Sequence, residues 1–148
     1  MFIYLAHPID FADHTAQFYK QMEQLRRALT VHGATAVYTP ADAFHAKAPM
    51  HHVIQQINMY AMEKADCVVF AMPMGVHTLG VPFELGYTYA KQIPALIIRG
   101  DSTDESVKAR EHSALLSMLD IPIYAFDQLE TAAQKACFIA KLNSKGRS

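Results

Sequence analysis

Residues 65–99 read ADCVVFAMPMGVHTLGVPFELGYTYAKQIPALIIR, and this stretch decides the fold. An apolar run at 67–72 leads into a loop with Pro73, Gly75 and Gly80, then FELGYTYAK, then a second apolar run at 95–98. Strand, glycine-bearing loop, helix and strand make a βαβ unit, so the two strands must run parallel. In open parallel sheets, ligands bind where loops leave the carboxyl ends of the strands. Here that loop and the first helical turn carry His77, Thr78 and Glu84. Glu84 precedes Leu85 and Gly86 in an otherwise apolar context, a place that seldom holds a carboxylate for packing reasons. It is the candidate chemical centre.

Working outward, the same alternation continues on both sides. Residues 2–6 read as a strand apolar on both faces, which suits a central parallel position. HPIDFADHT forms the loop after it, with Pro8 holding the preceding residue extended. Over 15–29, Phe18, Met22, Leu25 and Leu29 fall on one helical stripe. Gly33 ends that helix, and 34–39 form a second strand closed by Pro40. Residues 41–48 read as a loop of small residues with Asp42, Phe44, His45 and Lys47. Pro49 suits a first helical position, opening a helix to Lys64 with Val53, Ile57, Tyr60 and Ala61 spaced for burial. Beyond Arg99, GDSTDES reads as a turn before a helix over 105–119. A fifth strand at 121–126 and a last helix over 127–142 follow, with NSKGRS as a fraying tail.

The alternation predicts a single α/β domain over 1–148. Its form is a three-layer sandwich around a five-stranded parallel sheet, flavodoxin/Rossmann-like, in the order 2-1-3-4-5. The switch point then falls between strands 1 and 3. That brings His7, Asp10, His77, Thr78 and Glu84 into one crevice.

Composition narrows the function classes. The chain has 148 residues, 51% hydrophobic and 18% charged, with a formal net charge of −1, which is globular and carries no electrostatic footprint for nucleic acid. MFIYLAHPID lacks a basic leading segment and is too short to span a bilayer, and no other run reaches spanning length. The expectation is a soluble cytoplasmic protein with no membrane partner. Cys67 and Cys137 read as free buried thiols. His45, His51 and His52 invite a metal reading, but adjacent histidines point to different helix faces and no carboxylate partner is evident, so no metal is expected. The Asp104, Glu105 and Glu111 cluster reads as a solvated helix start.

No dinucleotide fingerprint, P-loop or nucleophile elbow occurs. A lone carboxylate at the mouth of an α/β sheet can act as nucleophile or general acid/base. Thr78 and the amides around Gly80 can hold an oxyanion or phosphate at a helix N-terminus, and Tyr4 offers a phenol at the end of strand 1. On spacing alone, Glu84 as an ordinary first-turn helix acid stands equally well.

Three segments shift that balance. IYLAHPI, EKADCVVF and TLGVPFELGYTYAK, in this order over the first two thirds of the chain, resemble the nucleoside 2-deoxyribosyltransferase family. The resemblance implies that Glu84 is the catalytic glutamate, attacking the anomeric carbon and displacing the base to leave a glycosyl ester. It implies that Tyr4 lines the site and orients the glutamate. Transferases of this family pass the sugar to a second base, whereas a hydrolase branch acts on nucleoside 5'-monophosphates and passes it to water. Six positions before the glutamate, transferases carry an aspartate and the monophosphate hydrolases a serine, in a stretch like SLGVGYELG. Thr78 in TLGVPFELG is closer to the hydrolases. A carboxylate there would repel a 5'-phosphate, while a hydroxyl can donate to it.

The chain also departs from the family pattern. Asn58 stands where an aspartate is usual. An amide cannot serve as a general acid but can read a base through its donor and acceptor. His7 replaces a small glycine, and Asp10 stands where the hydrolases often carry an arginine, which does not suit a phosphate pocket. Protonated His7 or Arg99, at the end of strand 4, can supply positive charge. Phe11 and Asn58 are candidates for contacting the base, and Asp66 reads as structural, at the opposite end from the site.

The expected function is therefore an N-glycosidase acting on a (deoxy)nucleoside 5'-monophosphate, with no metal or organic cofactor. The alternatives are a deoxyribosyltransferase exchanging bases on free deoxynucleosides and a nucleotide-binding sensor without turnover. The resemblance also implies a homo-oligomer. The 49–64 helix, with Met50, Met59 and Met62 beyond one stripe, is the expected interface.

Overall fold

The computed structural model describes residues 1–8, 16–45, 51–73, 80–100 and 120–146, with the backbone alone for 43–45 and 51. The strands are β1 (Phe2–Ala6), β2 (Ala36–Tyr38), β3 (Cys67–Met72), β4 (Ala95–Arg99) and β5 (Ile123–Ala125). The helices are α1 (Ala16–Val31), α2 (Pro40–His45), α3 (His51–Lys64), α4 (Gly80–Ala90) and α5 (Leu129–Gly146), with a 3-10 turn at Phe126–Gln128. The strands form one sheet in the order β2-β1-β3-β4-β5, every pairing parallel. That is the expected topology.

Alternation along the strands sorts the core into two layers. Ile3, Leu5, Val69, Leu96 and Ile98 pack against α1 and α5. Tyr4, Ala6, Val68, Phe70 and Ile97 pack with Ala61 and Met62 of α3 and Val81 and Leu85 of α4. Strands buried on both faces account for the unbroken apolar runs of β1, β3 and β4. Phe18, Met22, Leu25 and Leu29 are buried on α1, as their spacing predicts. Gly33 then turns the chain at φ +102, a backbone conformation that L side chains rarely adopt. Both cysteines are free and buried.

Four sequence expectations need correction. The 41–48 loop is helical in its first part, because Pro40 opens α2 instead of merely closing β2. A proline ring fits a first helical turn, and Asp42 Oδ2 accepts the Thr39 N–H at 2.8 Å. The buried stripe of α3 is Ile54, Asn58, Ala61 and Met62, whereas Ile57 and Tyr60 are exposed. Met62 is fully buried, and Met59 is partly buried against the core. The C-terminal helix runs through Gly146, since Asn143 Nδ2 donates to the Asp66 carbonyl at 3.1 Å and ties the last turn down. Tyr4 lies mid-strand in β1, not at its end. Pro49 and the expected 105–119 helix fall outside the described residues.

Candidate active site

The site is built from side chains that occupy core-facing positions without being apolar. On α4 the inward face is Val81, Glu84, Leu85 and Thr88, the i, i+3, i+4, i+7 set of one helical face. Glu84 therefore points into the layer between α4 and the sheet and is 9% exposed. Pro82 falls within the first turn of α4, where the missing N–H has no intrahelical partner to lose. β3 ends with Met72 at the carboxyl edge of the sheet, beside the β1–β3 junction where the strand order reverses.

Two further side chains act on this carboxylate, and a third backs one of them. Tyr4, fully buried in β1, donates its hydroxyl to Glu84 Oε1 at 2.8 Å. Asn58, buried on the inward stripe of α3, favours the charged form of the same carboxyl group. Tyr38, paired with Tyr4 across β1 and β2, donates its hydroxyl to Asn58 Oδ1 at 2.9 Å. The Tyr4 and Tyr38 rings lie 5.5 Å apart, tilted by 32°. On the outer side, Glu63 of α3 accepts the Tyr87 hydroxyl and pairs with Lys91 Nζ at 3.4 Å, linking the helices that carry Asn58 and Glu84.

Burial decides the electrostatics. Removal from water pushes the Glu84 carboxyl up to about 7, with the Tyr4 hydrogen bond and the Asn58 amide pulling the other way. A carboxyl poised near neutrality is available in part as an anion at physiological pH, and among the described residues it has no ion-pair partner. The same burial, with the Glu84 charge beside it, drives the Tyr4 phenol far above its ordinary value. Tyr4 is thus a permanent donor and cannot act as a base. The arrangement offers a desolvated anion held by two neutral donors, which suits attack on an electron-poor carbon or stabilisation of a cation-like centre.

The other predicted site residues divide by position. His7 is buried just beyond β1, with Nδ1 2.9 Å from the Pro8 carbonyl and its ring edge-on to Phe18. Gly80 opens α4. Arg99 ends β4, in register with Met72 and Ala125. All three stand at the carboxyl edge of the sheet. Asp10, Phe11, His77 and Thr78 lie outside the described residues. Asp66 sits at the opposite edge, where Oδ2 accepts the Phe2 N–H at 2.9 Å. Among the described residues no group of three or more His, Cys, Asp or Glu side chains could hold a metal, and no helix is long and apolar enough to cross a membrane. Tyr38 is the residue that sequence reasoning missed. In AVYTP it reads as an ordinary strand aromatic, and its parallel pairing with Tyr4 was the available signal.

Comparison with known proteins bears on the fold and the family. The family model described as "Nucleoside 2-deoxyribosyltransferase" matches residues 3–118. Among solved structures, a 2-deoxyribosyltransferase from the psychrotolerant bacterium Bacillus psychrosaccharolyticus aligns with a TM-score of 0.55 and 17% identity, covering 82% of this chain and 98% of its own. A conserved protein from Enterococcus faecalis V583 aligns with a TM-score of 0.54 and 18% identity, covering 95% and 97%. At these identities the structural likenesses establish a shared fold. Comparison with curated protein sequences finds no significant match.

Proposed function

The chain belongs to the nucleoside 2-deoxyribosyltransferase family, and from that premise we propose that it is an N-glycosidase cleaving the base–sugar bond of a nucleoside 5'-monophosphate. The family acts on nucleosides as small-molecule substrates, so an enzyme of this kind is expected to work on a glycosidic C–N bond. The observation that carries the proposal is the buried Glu84 carboxylate held by the Tyr4 hydroxyl at 2.8 Å.

In this reading the Glu84 oxygen attacks the anomeric carbon, the C–N bond breaks, and its electron pair leaves with the base. The sugar is left as a glycosyl ester on Glu84, and water then displaces the carboxylate. The second half-step returns Glu84 to its starting state, so no cofactor is consumed. The buried anion also stabilises the cation-like sugar in both transition states. Tyr4 holds the unshared carboxylate pair in place, and Asn58 supplies a second donor. Thr78 in place of a carboxylate supports a phosphate at the sugar 5' end, with the Gly80 amide, His7 and Arg99 as further phosphate candidates. Asp10 in the same N-terminal loop favours the second reading, in which a free deoxynucleoside gives its sugar to another base.

Product analysis separates the two. Purified protein is incubated with each ribo- and deoxyribonucleoside 5'-monophosphate and the corresponding nucleosides, with and without an acceptor base, and the products are resolved by HPLC. Free base and sugar phosphate are expected from a monophosphate. A new nucleoside formed only with acceptor base would replace the hydrolase by the transferase reading, and ligand-induced thermal stabilisation without products would indicate a sensor.

A second copy of the chain is the proposed partner. Ile57 and Tyr60 of α3 and Phe83 and Tyr89 of α4 are large hydrophobic side chains left exposed on adjacent helices. Light scattering after size exclusion tests this, with a dimer or higher assembly expected.

A further inference from the structure

We propose that Tyr38 is a positioning residue for Glu84, acting through the side-chain amide of Asn58. The proposal rests on Glu84 being the reactive carboxylate. Its observation is that the Tyr38 hydroxyl on β2 donates to Asn58 Oδ1 on α3 at 2.9 Å, which fixes one end of a buried amide whose other end acts on the Glu84 carboxyl of α4 and favours its charged form.

The chemistry of an amide makes this line directional. A primary amide has an acceptor end and a donor end, and the two are nearly the same shape. Turned the wrong way, Asn58 would aim Oδ1 at the Glu84 carboxylate, placing acceptor against acceptor in a dry layer where such an error is costly. A carboxylate at position 58 would have no such ambiguity, because its two ends are alike. The Tyr38 hydroxyl removes the ambiguity by donating to Oδ1, which leaves the Nδ2 hydrogens facing Glu84.

Tyr38 is suited to that task. Burial, then the charges of Asp42 and Glu84, push its phenol up to about 12, so it keeps the proton it must donate. Asp42 is itself engaged, Oδ1 by Arg26 at 3.4 Å and Oδ2 by the Thr39 N–H. Those contacts pin the start of α2 directly behind Tyr38. Among the described residues, the titratable groups that face the carboxyl from the packed elements are Tyr4 on β1 and Tyr38 on β2, with Asp42 on α2 acting on Tyr38. Among Tyr4, Tyr38 and Asn58, only the Asn58 amide has two orientations.

The test compares Tyr38→Phe, Asn58→Ala and the double variant by two readouts. One is the titration midpoint of Glu84, followed by NMR in protein carrying 13C-labelled glutamate carboxyls and assigned with Glu84→Gln. The other is the pH profile of kcat/KM for base release. Tyr38→Phe keeps the ring packing and is expected to raise the midpoint by roughly half a unit to one unit, and to lower kcat by roughly 3- to 10-fold with KM within about twofold. Asn58→Ala should shift the midpoint at least as far, and adding Tyr38→Phe to it should change nothing more. An unchanged midpoint in Tyr38→Phe, or a full additional shift in the double variant, would overturn the proposal. The NMR titration needs no turnover. If no protein releases base, the N-glycosidase reading fails while the midpoints still decide whether Tyr38 acts through Asn58. If Tyr38→Phe does not fold, a Tyr38→His variant that restores the wild-type midpoint would support the relay, and one that folds with the Asn58→Ala midpoint despite its ring N–H would refute it.

Discussion

The Tyr4 hydroxyl in the middle of β1 lies 2.8 Å from Oε1 of Glu84 on α4, across a separation of 80 positions in the chain. Both side chains occupy positions that the fold reserves for the core, Tyr4 on the sheet face toward α3 and α4 and Glu84 on the inward stripe of α4. A hydrogen bond to a buried charged group is worth about 1.5–3 kcal/mol. Tyr4→Phe should therefore cut kcat/KM near neutral pH by roughly 10- to 100-fold while leaving the far-UV circular dichroism unchanged. Steady-state assays of base release check this.

The pH dependence follows from the Glu84 carboxyl. It must be ionised to attack, and burial holds it at about 7. The kcat/KM profile should accordingly rise with pH through an acid limb centred near 7 and should lack one near 4.5, the ordinary glutamate value. In Tyr4→Phe the lost donor moves the limb to higher pH.

Stability should show the same group with the opposite sign. The folded-state value lies above the unfolded one, so between about pH 4.5 and 7 the native protein keeps a proton that the unfolded chain has released. Glu84 thus contributes stability that is complete at low pH and lost as pH rises through about 7, by on the order of 3 kcal/mol. Glu84→Gln, neutral throughout, should gain stability over the parent at pH 8 and little at pH 4. Urea unfolding at the two pH values measures the difference.

Asp66 provides the contrast. Its carboxylate accepts the Phe2 N–H at 2.9 Å at the edge of the sheet remote from Glu84. Asp66→Ala leaves that part-buried donor unpaired and should cost about 1–3 kcal/mol, with KM and kcat of the remaining folded protein within about twofold of the parent.

Thr78 tests the substrate. Thr78→Asp places a carboxylate where the proposal puts a 5'-phosphate. It should depress kcat/KM for monophosphates by at least about 10-fold and leave activity on free nucleosides unchanged or raised. Competition between a nucleotide and its nucleoside reads the ratio directly.

Much of this was legible in the sequence because parallel strands buried on both faces announce themselves as unbroken apolar runs. Residues 67–72 and 95–98 delimit β3 and most of β4, and they fixed the topology. Glu84 was legible for the complementary reason, as a charge where packing wanted none. The phase of α3 was not, because Val53, Ile54, Ile57, Met59, Tyr60, Ala61 and Met62 surround the helix and leave no clean stripe. The choice of Ile54, Asn58 and Met62 as the inward set comes from tertiary contact with Tyr38 and α4. Pro40 was ambiguous, since proline both ends strands and begins helices. Tyr38 needed strand register, which places it beside Tyr4, before its hydroxyl could be connected to Asn58.

The covalent role of Glu84 is the central claim, and stereochemistry tests it most directly. Two successive displacements at the anomeric carbon retain its configuration, whereas a single attack by water inverts it. Base release is run in dilute methanol, and the anomer of the methyl glycoside is identified by proton NMR. The account predicts the same anomer as the substrate nucleotide, formed by the parent and not by Glu84→Gln. The inverted anomer would mean that water or methanol attacks directly, and would contradict a glycosyl ester on Glu84.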